Sequence, residues 1–364
     1  MGLLGKLFGE KKDAGEGVAS SASEYFKRGL AYSYKWKWDK AISDFDQAIQ
    51  LDPNYIQAYN ERGLAYCCKG LLDQALKDCN QTFQLDSNET GTHGDSITNN
   101  IDKVHDQVIP LTSKDAKEYF KYGFSIAQEG LYYRAIIKYS QAIQLDPNFS
   151  EAYLKRGIAF QQISRPDLAV KDYNKVIQLD RNNAQAYFNR GIANAGWGYV
   201  EKALKDYDQA VRLDPNEAAY YYRRGGVYLV KAIDWRETGN LAQPGDPLHK
   251  KYIDQAINDN DIAIQIDPSF ALAYNNRGVA YMEKSLVAKP RGAFGVGIGP
   301  QRFNIEILNR AIQDFDQAIR LDPTLGAPHL HKGEALTWKG DSEGAQQSFQ
   351  KAKLLGSTNK TIML

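Results

Sequence analysis

A Leu-Asp dipeptide, usually followed by proline, returns along this 364-residue chain at Leu51, Leu85, Leu145, Leu179, Leu213, Ile266 (a conservative replacement) and Leu321. The gaps are 34, 60, 34, 34, 53 and 55 residues, so excesses of 26, 19 and 21 mark three insertions in an otherwise regular array. A fixed period of this size commits a chain to a stack of small supersecondary units. Each unit can bury its apolar face only against its neighbours. Length therefore says little about domain count.

Aligned on the period, eight units span 22–55, 56–89, 116–149, 150–183, 184–217, 218–270, 271–325 and 326–359. Each carries an aromatic residue or His followed four positions later by glycine, from Tyr25 and Gly29 through Tyr153 and Gly157 to His329 and Gly333. A large and a small residue at this spacing share one helical face and make a knob beside a notch. Twelve residues after the glycine stands alanine in the units without an internal insertion, as at Ala41, Ala135 and Ala203. An aromatic residue usually follows four later, as at Phe45, Tyr139 and Tyr207. This is the stripe of a second helix, which the Asp-Pro pair should stop.

Two amphipathic helices per 34 residues in this pattern resemble the tetratricopeptide repeat family. That family favours a large residue at position 4 of the unit, small at 8, aromatic at 11, Ala at 20, aromatic at 24, Ala at 27 and Pro at 32. The first unit matches with Tyr25, Gly29, Tyr32, Ala41, Phe45, Ala48 and Pro53. Ser87 and Arg181 replace the proline in the second and fourth units, and the eighth lacks the Asp-Pro stop, as a terminal cap should. The resemblance implies an all-α, right-handed superhelical solenoid of about eight helix-turn-helix repeats with three insertions.

Position 7 is Arg in six units (Arg28, Arg62, Arg156, Arg190, Arg224, Arg277), and position 23 of the same six is Asp (Asp44, Asp78, Asp172, Asp206, Asp259, Asp314). The other two units lack both: Tyr122 goes with Lys138, and Lys332 with Ser348. Joint departure predicts that the two positions meet across the helix pair as charge-assisted hydrogen bonds.

The resemblance also implies a concave groove lined by positions 2, 5, 6, 9, 12 and 13 of each first helix. There the chain offers Lys117, Lys121, Gln128, Lys155, Gln162, Asn189, Arg223 and Asn276, a mostly basic and amide set suited to carboxylates and peptide backbone. The expected partner is a protein or peptide, plausibly acidic, and the expected role a scaffold or adaptor. The carboxylate clamp of chaperone-binding members is not reproduced, since Leu154, Ile158 and Ala219 stand where it needs Lys, Asn and Lys.

The insertions set this chain apart. Residues 90–115 lie between units, with Ile97, Ile101, Val104 and Val108 at helical spacing. The other two, near 232–251 and 285–307, fall between paired helices and read as loops, the latter holding a glycine-rich run from Gly292 to Pro300. Residues 1–21 read as a flexible leader and 360–364 as a tail. Within the leader, Leu3, Leu4, Leu7 and Phe8 with Lys6, Lys11 and Lys12 could place residues 1–12 on a membrane surface, which is the alternative reading. A net charge of +1 gives no field for nucleic acid. Cys67, Cys68 and Cys79 lack metal-ligand spacing and read as reduced thiols, pointing to a cytoplasmic protein, membrane-peripheral on the alternative. No grouping of catalytic or metal-ligating residues stands out, so neither enzymatic activity, cofactor nor metal is expected.

Overall fold

The computed structural model describes residues 21–89, 115–238, 246–287 and 302–357. They form sixteen helices in consecutive pairs. The first four pairs are α1 (Ala22–Tyr34) with α2 (Trp38–Leu51), α3 (Ile56–Lys69) with α4 (Leu72–Glu89), α5 (Ala116–Gln128) with α6 (Tyr132–Leu145), and α7 (Ser150–Gln162) with α8 (Pro166–Leu179). Then follow α9 (Ala184–Gly196) with α10 (Val200–Leu213), α11 (Ala218–Thr238) with α12 (Pro247–Ile266), α13 (Ala271–Ser285) with α14 (Ile305–Leu321), and α15 (Gly326–Lys339) with α16 (Ser342–Leu354). The pairs are the eight units read from the period. The chain divides within α9 into two compact units, Met1–Ala193 and Asn194–Leu364.

The marker dipeptide ends the second helix of a repeat by a specific turn. Asp52, Asp146, Asp214, Asp267 and Asp322 are C-caps whose backbone N–H still donates to the last helical carbonyl four residues back. Each aspartate Oδ1 then accepts the backbone N–H two residues on, from Asn54 to Thr324, at 2.9–3.2 Å. The leucine before it is often exposed, 54% at Leu51 and 45% at Leu145. Thus the most regular residues of the sequence are turn formers, not core. Where Ser87 replaces proline, α4 runs on to Glu89. Where Arg181 replaces it, α8 still stops at Leu179, and the Asp180 side chain accepts from Asn182 N–H at 2.9 Å. Asp180→Ala should therefore lower stability by about 1 kcal/mol, with Arg181→Pro offsetting part of that loss, as read by thermal denaturation.

The glycine notch holds a ring. A methyl group on Gly157 would stand 2.6 Å from Cε1 of Tyr173, and one on Gly278 2.5 Å from Cε1 of Phe315. Position 8 of the first helix is thus the seat of the position-24 aromatic. Tyr173 and Phe315 are fully buried there.

The two later insertions depart from the expected loops. Residues up to Thr238 and from Pro247 onward are helical, so much of the 232–251 segment lengthens α11 and α12 instead of leaving them. The physical reason is apolar continuity: Leu229, Ala232, Ile253 and Ala256 are at most 1% exposed and pack with Val279 and Leu308 in one core. In the third insertion, strands β1 (Leu286–Val287) and β2 (Arg302–Phe303) pair antiparallel, with Leu286 opposite Phe303. Phe303 stacks on Trp338 at 4.8 Å between ring centroids. The helix expected over Ile97–Val108 and the glycine run 292–300 lie outside the described residues.

Candidate functional site

In five of the six units the Arg and Asp positions meet as expected, and they do more. Arg28 Nε and Nη2 donate to Asp44 at 2.8 and 2.7 Å, and the same fork joins Arg62 to Asp78, Arg156 to Asp172, Arg224 to Asp259 and Arg277 to Asp314 at 2.6–2.9 Å. The free Nη1 reaches position 25 of the preceding repeat, sixteen residues back. Arg62 donates to Asp46, Arg156 to the Ser140 hydroxyl, Arg190 to Asn174, Arg224 to Asp208 and Arg277 to Asp261, all at 2.6–2.9 Å. One guanidinium therefore closes its own helix pair and ties that pair to the one before.

The exceptional units follow the same logic. Lys332 keeps only the backward bond, to Asp316 at 2.6 Å, while Ser348 turns to the Gly344 carbonyl. In the third unit the buried Lys138 places its ammonium 5.0 Å from the ring centre of Tyr122, so the two positions meet there as a cation on an aromatic face. The acceptor column at position 25 was readable in the sequence as Asp46, Ser140, Asn174, Asp208, Asp261 and Asp316, but shows only when adjacent repeats are compared across their boundary.

These couplings hold a face of the first helices toward solvent in the third and fourth repeats. Lys117, Lys121, Phe124 and Gln128 follow one another along α5 at helical spacing and are exposed, Phe124 by 41%. On α7, Gln162 is exposed and Lys155 partly so, and the Lys155 ammonium lies 5.4 Å from the centre of the Phe124 ring. The structure thus joins five of the predicted residues, with an aromatic the sequence reading passed over. Its signal was an unpaired Phe at position 9 of an otherwise polar stripe.

The remaining three are placed differently. Asn189 is 9% exposed, its Nδ2 has no hydrogen-bond partner, and its backbone carbonyl accepts from Gln161 Nε2 at 3.5 Å. Asn276, in the second compact unit, is 2% exposed with Nδ2 likewise unpartnered. Its neighbour Asn275 bonds the buried His331 ring through Oδ1 and Nδ1 at 2.9 Å. Arg223, also in the second unit, is half-buried, its guanidinium 5.5 Å from the Tyr222 ring centre.

No group of His, Cys, Asp and Glu among the described residues could hold a metal ion, and no described helix is long and apolar enough to cross a membrane. Residues 1–12 lie outside the described residues. The three cysteines form no disulfide with one another; burial pushes the Cys67 thiol up and that of Cys68 to about 12, leaving little thiolate of either at neutral pH.

A two-helix unit repeated eight times, with six of its seven junctions closed by a backward hydrogen bond from position 7, defines a helical-repeat protein. The family model of the TPR (tetratricopeptide) repeat matches residues 29–70, 126–164, 166–196 and 197–230. The chain is a tetratricopeptide-repeat protein. No curated protein matches it. Among solved structures it is similar to PilW, a widely conserved type IV pilus biogenesis factor, at 13% identity and TM-score 0.51 over 67% of this chain and 95% of that one. It is also similar to MamA (24% identity, TM-score 0.42, 57% of this chain and 92% of that one). A third is YrrB, described as a TPR protein with an unusual peptide-binding site (17% identity, TM-score 0.41, 60% and 91%).

Proposed function

We propose that the chain is a non-catalytic interaction scaffold that takes an acidic peptide segment of a partner protein on the exposed face of α5 and α7. The observation that carries this reading is Phe124, a large ring left 41% exposed with the Lys155 ammonium over it and Lys121 and Gln128 on its helix face. An apolar anchor ringed by cations and amides suits a segment with one apolar side chain flanked by carboxylates, the amides pairing with its backbone. The helices hold this face ready-made, so ordering falls chiefly on the peptide. Within the same compact unit, Asn189 would extend the contact only if the partner draws its side chain out.

Fluorescence anisotropy against labelled peptides of the pattern acidic-apolar-acidic tests this. Lys121→Glu with Lys155→Glu should weaken binding at least tenfold, and Phe124→Ala by a similar factor, with helix content unchanged by circular dichroism. Equal affinity for the charge-reversed chain would remove the proposal.

A further inference from the structure

In the third repeat, positions 6, 9 and 13 of the first helix are the exposed Lys121, Phe124 and Gln128; in the second repeat, positions 6, 9 and 12 are Glu61, Leu64 and Cys67, exposed by only 9%, 2% and 8%. The cover comes from further along the same compact unit. Elsewhere the second helix of one repeat packs on the first helix of the next, as α2 does on α3 and α6 on α7. At the junction after the second repeat, α3 and α4 pack instead on α6, the second helix of the third repeat. Tyr133, Ile136 and Ile137 of α6, at helical spacing i, i+3, i+4, close over Asn60, Leu64, Cys67 and Cys79. Next to them the Arg134 guanidinium stands 4.7 Å from the ring centre of Phe83 on α4.

One side chain fastens the arrangement. Arg165, 2% exposed in the turn between α7 and α8, is held by Asp167 through Nε and Nη2 at 2.9 and 2.8 Å. Its Nη1 crosses to the Ser33 hydroxyl of α1 at 3.1 Å and the Glu61 carboxylate of α3 at 3.2 Å, and its plane lies 4.7 Å from the Tyr34 ring centre. Glu61 is also bonded by Tyr133, and burial raises its carboxyl above the ordinary range.

The apolar side chains of the seam lie in one buried cluster, Leu64, Cys67 and Cys79 with Ile136 and Ile137, and two further features distinguish it from the regular junctions. It leaves a cleft of about 260 Å³ between the start of α6 and Ile56, Thr82 and Phe83, and one of about 140 Å³ beside Cys68 and Lys171, where interiors are normally close-packed. In addition, position 15 of a repeat is a left-handed turn, occupied by glycine at Gly70, Gly130, Gly198 and Gly340. Trp36 and Ser164 take that conformation, at φ 60° and 58°, in the first and fourth repeats, which Arg165 joins through Ser33. A non-glycine residue there carries strain of about 1 kcal/mol or more, which the contact must offset.

We propose that the first two repeats form a separate helix-binding groove that α6 and Arg165 occupy in the resting chain, and that its trans ligand is an amphipathic helix with an aromatic, two aliphatic side chains at i+3 and i+4, and an adjacent arginine. The cis occupant defines this chemistry. The groove recognises the Tyr-Arg-x-Ile-Ile face through Leu64, Cys67 and Phe83, and the guanidinium of the latch through Glu61 and Ser33. It is distinct from the α5 and α7 face and does not depend on it.

The test uses the full chain as wild type, Arg165→Gln and the shape-preserving Glu61→Gln. In the wild type Cys67 and Cys79 should resist a thiol reagent under native conditions, and a labelled peptide of residues 131–146 should not bind. Both latch variants should keep their helix content, expose these thiols at least tenfold faster and bind the peptide saturably. Adding Leu64→Glu should abolish that binding. Thiols as protected in both variants as in the wild type would overturn the proposal, as would exposure of the thiols only with cooperative loss of all helix. An open variant that ignores the peptide, or that pairs with a second copy in sedimentation instead, would also overturn it.

Discussion

Arg156→Ala is expected to lower the unfolding free energy by about 3–5 kcal/mol. The guanidinium donates to both Asp172 oxygens at 2.8 and 2.7 Å and to Ser140 at 2.9 Å, and its face lies 5.4 Å from Tyr153 and 5.6 Å from Phe160. Its removal strands the Asp172 side chain, 6% exposed, without its counter-charge. The Coulombic attraction of the intact pair is partly spent on desolvating two ions. A matched apolar replacement, Arg156→Met with Asp172→Leu, should therefore recover most of the loss and could exceed the wild type. Denaturant unfolding of the wild type, Arg156→Met, Asp172→Leu and the double variant forms a double-mutant cycle. Coupling below about 0.5 kcal/mol would show the fork to be incidental.

The second large effect is one of sign. Gly157→Ala should destabilise by about 1–3 kcal/mol, because the new methyl would meet the Tyr173 ring at 2.6 Å inside a packed core. The same substitution at Gly63 should stabilise by about 0.5–1 kcal/mol. There position 24 is Cys79, the nearest atoms to an added methyl are at 3.4 Å, and alanine is the better helix former. Tyr173→Leu in the Gly157→Ala background should return part of the lost stability by vacating the notch. Paired thermal melts of the two alanine variants give the comparison, and a shared direction would refute the ring-in-notch account.

The helix pairs and the Arg-Asp forks were legible in the sequence because repetition multiplies a weak local signal: six arginines with six aspartates, and a joint departure at Tyr122 and Lys138, restrict the geometry to one answer. Three things were not legible. The lengthening of α11 and α12 depended on Ala232 and Ile253 finding Val279 and Leu308, a contact no local spacing encodes. The exposed Phe124 looked like any apolar first-helix residue until the burial of Leu64 at the same position gave it contrast. The crossing of Arg165 to Ser33 and Glu61 links residues 132 and 104 apart in sequence, across an insertion, where periodicity has no reach. A faint trace of it existed: Trp36 and Ser164 stand in a column where four other repeats carry glycine.

The backward hydrogen bond of position 7 makes each repeat a connector with two unlike halves, a donor toward its predecessor and an acceptor offered to its successor. Blocks of 34 residues can then be deleted, duplicated or shuffled without mismatch, provided a donor is always set after an acceptor. Tyr122 breaks that rule at one place. The third repeat presents a phenol there in place of a cation, so its junction with the second repeat lacks the charged donor that the other junctions share. Cutting and rejoining the chain just before it should be tolerated, whereas the same operation before Arg62 or Arg156 should leave a plug without its socket.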